Sequence, residues 1–411
     1  MRKPSVLIIF LTVFIDLIGF GIVIPLLPIY AKNFAATGLE IGALMSTFSL
    51  MQFVFAPVLG RLSDRIGRRP VILTSTAGAC ISYAIFAWGS GLPSRNGLLV
   101  LFLSRAFAGL CGGNIGVAQA YIADITPPEQ RSKKMGLIGM AFGLGFILGP
   151  FFGAKARQYF GPAGPGWVAS SFCAINFILA TVILPESRKP GSEHVAPRPH
   201  LDQWLHTMQK PKVGLLISVF FLATFCFTCF ETTLSLLVLQ KFGVDPETTD
   251  GIKVAAHLFM FAGIVGAVFQ GGATGRLVKL LGEPKLVAVS LLCVAFSLGP
   301  MPFANTWTQI YLLLALLAIG SSMTRPPVFG MISNLTSSNE QGATIGVAQS
   351  MGSLARILGP IFAATLFVKN PILPYASCAV VALITALLAW AQLPKNYHPT
   401  HAAKVETVPE A

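Results

Sequence analysis

Four ionisable residues lie inside long apolar stretches of this 411-residue sequence. Two are acids, Asp16 and Glu231, and two are bases, Arg105 and Arg325. An ionised side chain at the middle of a bilayer costs roughly 2.5–3.5 kcal/mol even on a lenient insertion scale. Such groups are therefore expected to pair, to face a wet cavity or to bind protons and charged ligands. A fifth, Arg356, is interpreted as a partner in inter-helix pairing.

The stretches around these residues have the length and composition of membrane-spanning helices. The chain is 54% hydrophobic and only 11% charged, whereas a soluble domain carries about 25% charged residues. A helix needs about 20 residues to cross a bilayer, and helices satisfy their own backbone polar groups there. The predicted spans cover approximately 5–30, 41–60, 71–90, 97–122, 134–154, 166–184, 213–239, 254–275, 286–304, 308–331, 342–368 and 372–393.

A short, strongly charged turn from Gly60 to Pro70 fixes the orientation of the spans. Lys and Arg are retained on the cytoplasmic side of membrane proteins, and with this turn inside both termini are cytoplasmic. Of the 29 Lys and Arg residues, 19 then fall in inner segments and 7 in outer loops. This asymmetry accounts for the net charge of +13 without a nucleic-acid partner. We expect a multi-pass protein of the cell inner (plasma) membrane.

A polar segment rich in Pro, His and basic residues divides the chain into two halves. The predicted units are a first six-helix bundle at 1–184, a cytoplasmic linker at 185–212, a second six-helix bundle at 213–393 and a cytoplasmic tail at 394–411. Within the linker, Leu201–Met208 is expected to form a short amphipathic helix on the inner leaflet.

The two halves repeat the same short motifs in the same order. Repeats of six spans in the same orientation imply a pseudo-twofold axis along the membrane normal, with substrate held between the halves. The predicted fold is an all-α membrane protein of twelve transmembrane helices in two pseudo-twofold-related bundles. The matching motifs are Gly60-Arg61-Leu62 with Gly275-Arg276-Leu277, Ile125-Thr126 with Leu335-Thr336, and Gly149-Pro150 with Gly359-Pro360.

Several classes of chemistry have no support in the sequence. All seven cysteines fall in apolar runs, where they behave as small hydrophobic residues rather than as a disulfide framework. There is no P-loop signature for nucleotide hydrolysis. No nucleophile–base pair or metal-ligand cluster has a recognisable spacing. We therefore expect no enzyme activity, no metal and no cofactor other than protons as the coupling ion.

The turn at Gly60 matches the G-x-L-x-D-R-x-G-R-[RK] signature at every defining position, and nearly the whole chain resembles the major facilitator superfamily. It looks most similar to the twelve-span drug/proton antiporters, especially the tetracycline-efflux branch. Four stretches carry this closer likeness: Asp16–Pro28, Tyr121–Thr126, Gly143–Gly153, and Val268–Gln270 with Gly275-Arg276.

The resemblance implies alternating access and export of an amphipathic small molecule or drug in exchange for protons. It also implies a monomer in the lipid bilayer. The chain departs from the tetracycline branch in one respect, because spans three and nine contain no acid. The resemblance therefore implies antiport without implying tetracycline as the substrate.

In this family's fold, spans one, four, seven and ten line the central cavity. The resemblance thus assigns proton coupling to Asp16, Arg105 and Glu231, with Asp16 as the preferred carrier. Two static salt bridges between helices are the alternative. The predicted substrate cavity also contains polar and aromatic side chains, namely Gln52, Asn114, Gln119, Phe230, Arg325 and Gln349.

The charged turn is interpreted as a conformational latch that holds the outward-facing state. Asp64 can approach the N-terminus of span eleven, where a carboxylate is favoured. Asp124 at the inner end of span four can pair with one basic residue of the turn, and Gly60 and Gly67 allow close approach of backbones. A solvated loop that serves only topology is the alternative. The basic candidates are Arg65, Arg68 and Arg69.

A stripe of small residues in span five resembles the antiporter motif that seals the cavity against leak. Its members are Gly145, Gly149, Pro150 and Gly153, and Ala154 replaces the motif's final glycine. A general helix-packing seam is the alternative. Two other functions stay open: a metabolite or sugar uniporter or symporter of the same fold, and a membrane receptor or scaffold that has lost transport.

Overall fold

The computed structural model describes residues 5–92, 95–112, 114–126, 128–187, 200–245, 248–336 and 341–393. Within these ranges the secondary structure is helical, and twelve helices are long and apolar enough to cross a membrane. In chain order the spans are Val6–Val23 continued by Leu27–Asn33, Gly38–Ile66, Arg68–Ser90, Asn96–Cys111 continued by Asn114–Ile125, Pro128–Phe160, Gly164–Ile183, Pro211–Lys241, Thr249–Val268 continued by Thr274–Leu281, Glu283–Leu298, Trp307–Asn334, Gln341–Lys369 and Ile372–Gln392.

Three spans are interrupted where the sequence weakens the helix. Span one contains a 3₁₀ turn at Ile24–Leu26, where Pro25 lacks the N–H that a regular helix requires. Span four breaks near Gly112, and span eight contains a π-helical turn at Phe269–Ala273. All twelve predicted spans coincide with these helices, so the prediction of an all-α, twelve-span fold is confirmed.

The spans pack into two groups of six. In the first group, span one packs against spans five and six, and span three against spans four and six. In the second group, span seven packs against span eleven, and span nine against spans ten and twelve. The two groups meet mainly where span two packs on span eleven and span five on span eight, a pair of contacts that a pseudo-twofold axis relates. The predicted boundaries of the two units stay predictions.

The contact between spans two and eleven is close at one end. The Ser46 hydroxyl donates to the Ile357 carbonyl at 2.5 Å. A methyl group added at Gly42 would lie 2.6 Å from the Pro360 carbonyl oxygen and would overlap the Ile361 backbone. Glycine at position 42 is therefore required for the two helix backbones to touch.

The same two helices separate towards the charged turn. Gly60 lies 18 residues after Gly42, which is about five helical turns and the same helix face. Among the residues that the structure describes, a methyl group added at Gly60 would meet no atom within 4 Å. We call the end of the molecule that carries Gly60–Pro70 the charged end, and the other the opposite end.

Spans five and eight diverge in the same direction. A methyl group added at Gly263 would lie 3.1 Å from the Ile147 side chain, and one added at Gly143 would lie 3.9 Å from Ala267. Closer to the charged end, a methyl group at Gly271 would meet no described atom within 4 Å. In the part of the chain that the structure describes, the two six-helix bundles therefore touch near the opposite end and are apart at Gly60 and Gly271 towards the charged end.

The linker contains the predicted short helix, which runs from His200 to Gln209. Its Trp204 and Met208 pack against the hydrophobic core of the second bundle, and Thr207 between them is buried. This helix thus belongs structurally to the charged end of the second bundle, and its position on the inner leaflet stays a prediction. Linker residues 188–199 and the predicted tail at 394–411 lie outside the described residues.

Candidate substrate and proton site

Asp16 is held inside the first bundle by span six. The Asn176 side-chain amide donates to the Asp16 carboxylate at 2.8 Å and to the Thr12 carbonyl at 2.8 Å. The Cys173 thiol lies 3.9 Å from the same carboxylate. Asp16 is 9% exposed and therefore does not face lipid. Since both N–H groups of Asn176 are used, that amide serves the carboxylate rather than the substrate.

Tyr83 of span three connects the two predicted coupling residues of this bundle. Its hydroxyl interacts electrostatically with the Arg105 guanidinium and with the Asp16 carboxylate. Arg105 is 1% exposed, and its guanidinium lies 4.8 Å from the centre of the Phe48 ring. Arg105 thus has a tyrosine and an aromatic ring as neighbours.

In the second bundle, Glu231 of span seven faces Arg356 of span eleven. The two side chains interact electrostatically, and the Arg356 guanidinium also donates to the Ser353 hydroxyl at 3.0 Å. Among the described residues no salt bridge joins these two side chains, so the prediction that Arg356 serves pairing between helices stays a prediction. Both side chains are half-buried.

Arg325 of span ten lies beside the same group. Its guanidinium lies 5.5 Å from the centre of the Phe329 ring and 5.9 Å from that of Phe220. Arg356 is affected electrostatically by Arg325 as well as by Glu231. The second bundle thus brings together two guanidinium groups and one carboxylate on three membrane-spanning helices.

The other predicted cavity residues have different surroundings. The Gln52 amide donates to the Gly112 carbonyl at 2.7 Å, so it joins span two to the break in span four. Phe230 is 3% exposed and packs against Phe227 and Phe259. Its assignment to the cavity is corrected, because the ring belongs to the hydrophobic core in this conformation. Gln119 and Gln349 are half-buried, and the Asn114 side chain lies outside the described residues.

The charged turn contains one of the predicted ion pairs. Arg68 pairs with Asp124 at 3.2 Å, and the two side chains are 12% and 28% exposed. Arg68 also donates to the Ser63 hydroxyl at 2.6 Å, while the Ser187 hydroxyl donates to the same Asp124 oxygen at 3.0 Å. The pair lies wholly within the first bundle and its adjoining linker.

The start of the linker is bound to the beginning of span three. The Glu186 carboxylate accepts from the backbone N–H groups of Arg68 at 2.9 Å and Arg69 at 3.1 Å, where the helix dipole favours a negative charge. Gly67 has φ +103°, and a methyl group there would lie 2.5 Å from Glu186. Gly67 is therefore required by this turn, and its predicted role in the close approach of backbones stays a prediction.

The remaining latch residues have different surroundings, and Arg69 donates to the Thr181 carbonyl of span six at 2.7 Å. Gly60 faces open space and Arg65 is exposed. The Asp64 side chain lies outside the described residues, as does the segment 337–340 that precedes span eleven. The role of these residues as a latch stays a prediction.

The small-residue stripe of span five packs on the backbone of span one. A methyl group at Gly149 would lie 2.6 Å from the Gly21 Cα, and one at Gly145 would lie 2.8 Å from the Leu17 carbonyl oxygen. Gly153 packs beside Ile22 in the same way, with a methyl group 3.1 Å from its carbonyl oxygen. Pro150 lies inside this helix. Close packing is thus observed, while the sealing role stays a prediction.

Two neighbours of the arginines within the spans were not identified from the sequence, namely Tyr83 beside Arg105 and Phe329 beside Arg325. Tyr83 gave no signal, since a tyrosine in an apolar span is common. Phe329 gave none because phenylalanine is frequent throughout the spans. The partner of Asn176 could not be predicted because it lies 160 residues away in the chain.

Comparison with protein families gives one model that covers most of the chain. The model described as Major Facilitator Superfamily matches residues 9–299 and 273–409. A tetracycline resistance protein, class E, from Escherichia coli is 34% identical over 370 residues, 88% of each chain. The quinolone resistance protein NorA of Staphylococcus aureus is 28% identical over 392 residues, which are 94% of this chain and 96% of NorA.

A solved structure shows a similar architecture. The human organic anion transporter MFSD10 (TETRAN) superposes with a TM-score of 0.70 and 26% sequence identity. The match covers 94% of this chain and 100% of that structure. The similarity therefore extends across both six-helix bundles.

Proposed function

Since this chain belongs to the Major Facilitator Superfamily and is related to drug exporters over most of its length, we propose that it exports amphipathic small organic molecules in exchange for protons. The relatives are named for tetracycline, quinolone and organic anion substrates. That range favours an organic molecule with an apolar body over a sugar. Transport, rather than chemistry on the substrate, is the proposed activity.

One observation carries this proposal. The two bundles meet tightly at Gly42 and open apart at Gly60, along one face of one helix. A transporter that works by alternating access needs a state in which its bundles are closed at one end and open at the other. The conformation described here has that form.

The open end is proposed to face the cytoplasm. The chain is a multi-pass membrane protein, and the charged end carries Arg65, Arg68 and Arg69, which the positive-inside rule places on the cytoplasmic side. With this orientation the structure corresponds to an inward-facing state, ready to take a molecule from the cytoplasm or the inner leaflet. We propose the cell inner (plasma) membrane, with both termini cytoplasmic and the monomer as the working unit.

Asp16 is the proposed proton carrier, with Glu231 as the second candidate. Each is an acid inside a span, and each has an arginine in its own bundle. Asp16 has a neutral amide donor in Asn176, which can hydrogen-bond either protonation state if it rotates. A group of this kind can gain and lose a proton as access alternates.

The test is transport by the purified full-length protein in sealed vesicles. Tetracycline, a quinolone and a neutral sugar serve as probes under an imposed pH gradient of either direction. The proposal expects at least one of the drugs to move against the direction of proton flow and the sugar not to move. Drug movement in the same direction as the protons, or sugar uptake without a gradient, would instead support the symporter or uniporter.

A further inference from the structure

The guanidinium of Arg325 lies beside two aromatic rings of the second bundle, Phe220 and Phe329. The rings of Phe220 and Phe329 meet edge to face, with centres 5.0 Å apart and planes at 85°. Arg325 itself is exposed rather than covered by neighbouring helices. A cation held over aromatic faces in this way is oriented by them while its donor groups stay available.

The charge around this residue is not balanced. In the described part of the chain no carboxylate forms an ion pair with Arg325. The charged groups that act on the neighbouring Arg356 are Arg325, which is of like charge, and Glu231, which is of opposite charge. Because an arginine side chain stays protonated in proteins, two guanidinium groups share one acid. The group has an excess of one positive charge when Glu231 is ionised.

Such an excess is costly within a membrane unless an anion accompanies it. Charges inside spans are retained where they bind a partner or a ligand. The hydroxyl of Ser353 satisfies one N–H of Arg356 but contributes no charge. An acidic group on a molecule bound beside Arg325 and Arg356 would supply the missing negative charge.

Gly352 keeps the ring and the second guanidinium side by side. A methyl group at this position would lie 2.9 Å from the Phe220 ring and 3.7 Å from the Arg356 guanidinium. Any larger side chain would displace the ring towards Arg325. The absence of a side chain at position 352 therefore preserves a flat aromatic surface beside two charged donors.

We propose that Arg325 and Arg356 bind the acidic group of the transported molecule, and that Phe220 and Phe329 contact its apolar body. The substrate class is an organic anion that carries a carboxylate, sulfonate or phosphate next to an aromatic or hydrophobic part. Planar guanidinium groups match such oxyanions with paired hydrogen bonds, and aromatic faces pack on flat rings. This inference rests on the proposed function and specifies its substrate.

Two related dyes can test the charge preference directly. Carboxyfluorescein is an anion and rhodamine 123 is a cation of similar size and ring system. Binding to the full-length protein is measured in phosphatidylcholine vesicles, with Arg325→Gln, Arg325→Lys and Arg95→Gln as variants. Arg95 pairs with Glu40 at the opposite end and serves as the control for loss of one positive charge. Thermal unfolding of each variant shows whether it is folded.

The expected results separate the role of charge from that of fold. The wild type and Arg95→Gln should bind the anionic dye with similar affinity, and more tightly than the cationic dye. Arg325→Gln should weaken anionic binding by about tenfold or more, because charge-assisted hydrogen bonds are lost. Arg325→Lys should weaken it less, since it keeps the charge but not the planar fork. If Arg325→Gln does not fold, the affinity for the anionic dye is compared between the wild type and the Arg325→Lys and Gly352→Ala variants instead.

Three outcomes would overturn the inference. The first is unchanged anionic binding by folded Arg325→Gln, and the second is tighter binding of the cationic dye by the wild type. The third uses vesicles that contain phosphatidylglycerol: if this lipid competes with the dye in the wild type and not in Arg325→Gln, the site holds a lipid headgroup instead. Anionic binding that depends on Arg325 without any proton-linked transport would contradict the proposed function and leave this inference standing.

Discussion

Gly42 and Gly60 lie on the same face of span two, about five turns apart, yet of the two only Gly42 touches a described residue of span eleven. The contacts near the opposite end pair Gly38 with Ala364 and Ser46 with Ile357. If this antiparallel register continued to the charged end, Gly60 would meet span eleven near residue 343. The spacing of residues along span two would therefore also allow this helix to contact span eleven at the charged end, in a second conformation.

This relationship predicts that Gly42→Ala and Gly60→Ala have different effects on stability and transport. Gly42→Ala should destabilise the present conformation by about 1–3 kcal/mol, because the added methyl group meets backbone atoms. Gly60→Ala should leave the unfolding temperature unchanged and slow transport, because it obstructs only the state in which the charged end closes. Thermal unfolding and vesicle transport of the two variants give the comparison. Equal effects of both variants on stability would contradict the open geometry at Gly60.

The seam between spans one and five predicts a second matched pair. Gly149→Ala places a methyl group 2.6 Å from the Gly21 Cα, so the helices must separate, and we expect a loss of about 1–3 kcal/mol. Gly139→Ala lies on the same helix where an added methyl group meets no atom within 4 Å. It should unfold at the wild-type temperature. A Gly149→Ala protein as stable as Gly139→Ala would show that the backbones do not touch.

Proton coupling by Asp16 predicts loss of transport without loss of fold. In Asp16→Asn the new amide oxygen can still accept from Asn176, while no proton can be carried. We expect drug accumulation driven by a pH gradient to fall to the background of empty vesicles, with normal protein amount and unfolding temperature. Asp250→Asn, at an exposed acid with an 82% exposed side chain, is the control. Unaltered transport by Asp16→Asn would show that Asp16 does not carry the proton and would leave Glu231 as the candidate carrier.

The pair formed by Arg68 and Asp124 predicts a small contribution to stability. Both groups are partly exposed, so solvent screens the pair and its contribution is about 0.2–1 kcal/mol. Arg68→Asp and Asp124→Arg should each slow transport, and the double exchange should restore part of the rate because the opposite charges are again adjacent. Transport rates at low and high salt provide the measurement. A double variant slower than either single variant would show that the pairing itself does not matter.

The twelve-span architecture could be predicted from the sequence because each span is recognisable from its own run of residues. Apolar runs near 20 residues, separated by turns such as Gly60–Pro70, determine both the number of crossings and the repeat. Even the short linker helix His200–Gln209 could be predicted, because its polar and apolar residues alternate with a helical period.

The partners of the buried charges could not be predicted in the same way. Asp16 interacts with Asn176 through the packing of spans one and six, and Arg105 interacts electrostatically with Tyr83. Nothing in the chain specifies which face of span six meets span one, since several faces are equally apolar. The φ of +103° at Gly67 and its contact with Glu186 could not be predicted either, because they depend on where the linker folds back.

Distances between spin labels at the two ends of spans two and eleven test the central claim most directly. One label pair occupies positions Gly60 and Gly346 at the charged end, and the other occupies Leu39 and Val368 at the opposite end. Both pairs are introduced after replacement of the seven native cysteines and a check of transport. The account predicts that, when the pH and drug conditions that drive transport are imposed, the first distance shortens while the second lengthens. Distances that stay fixed, or that change in the same direction, in actively transporting protein would contradict it.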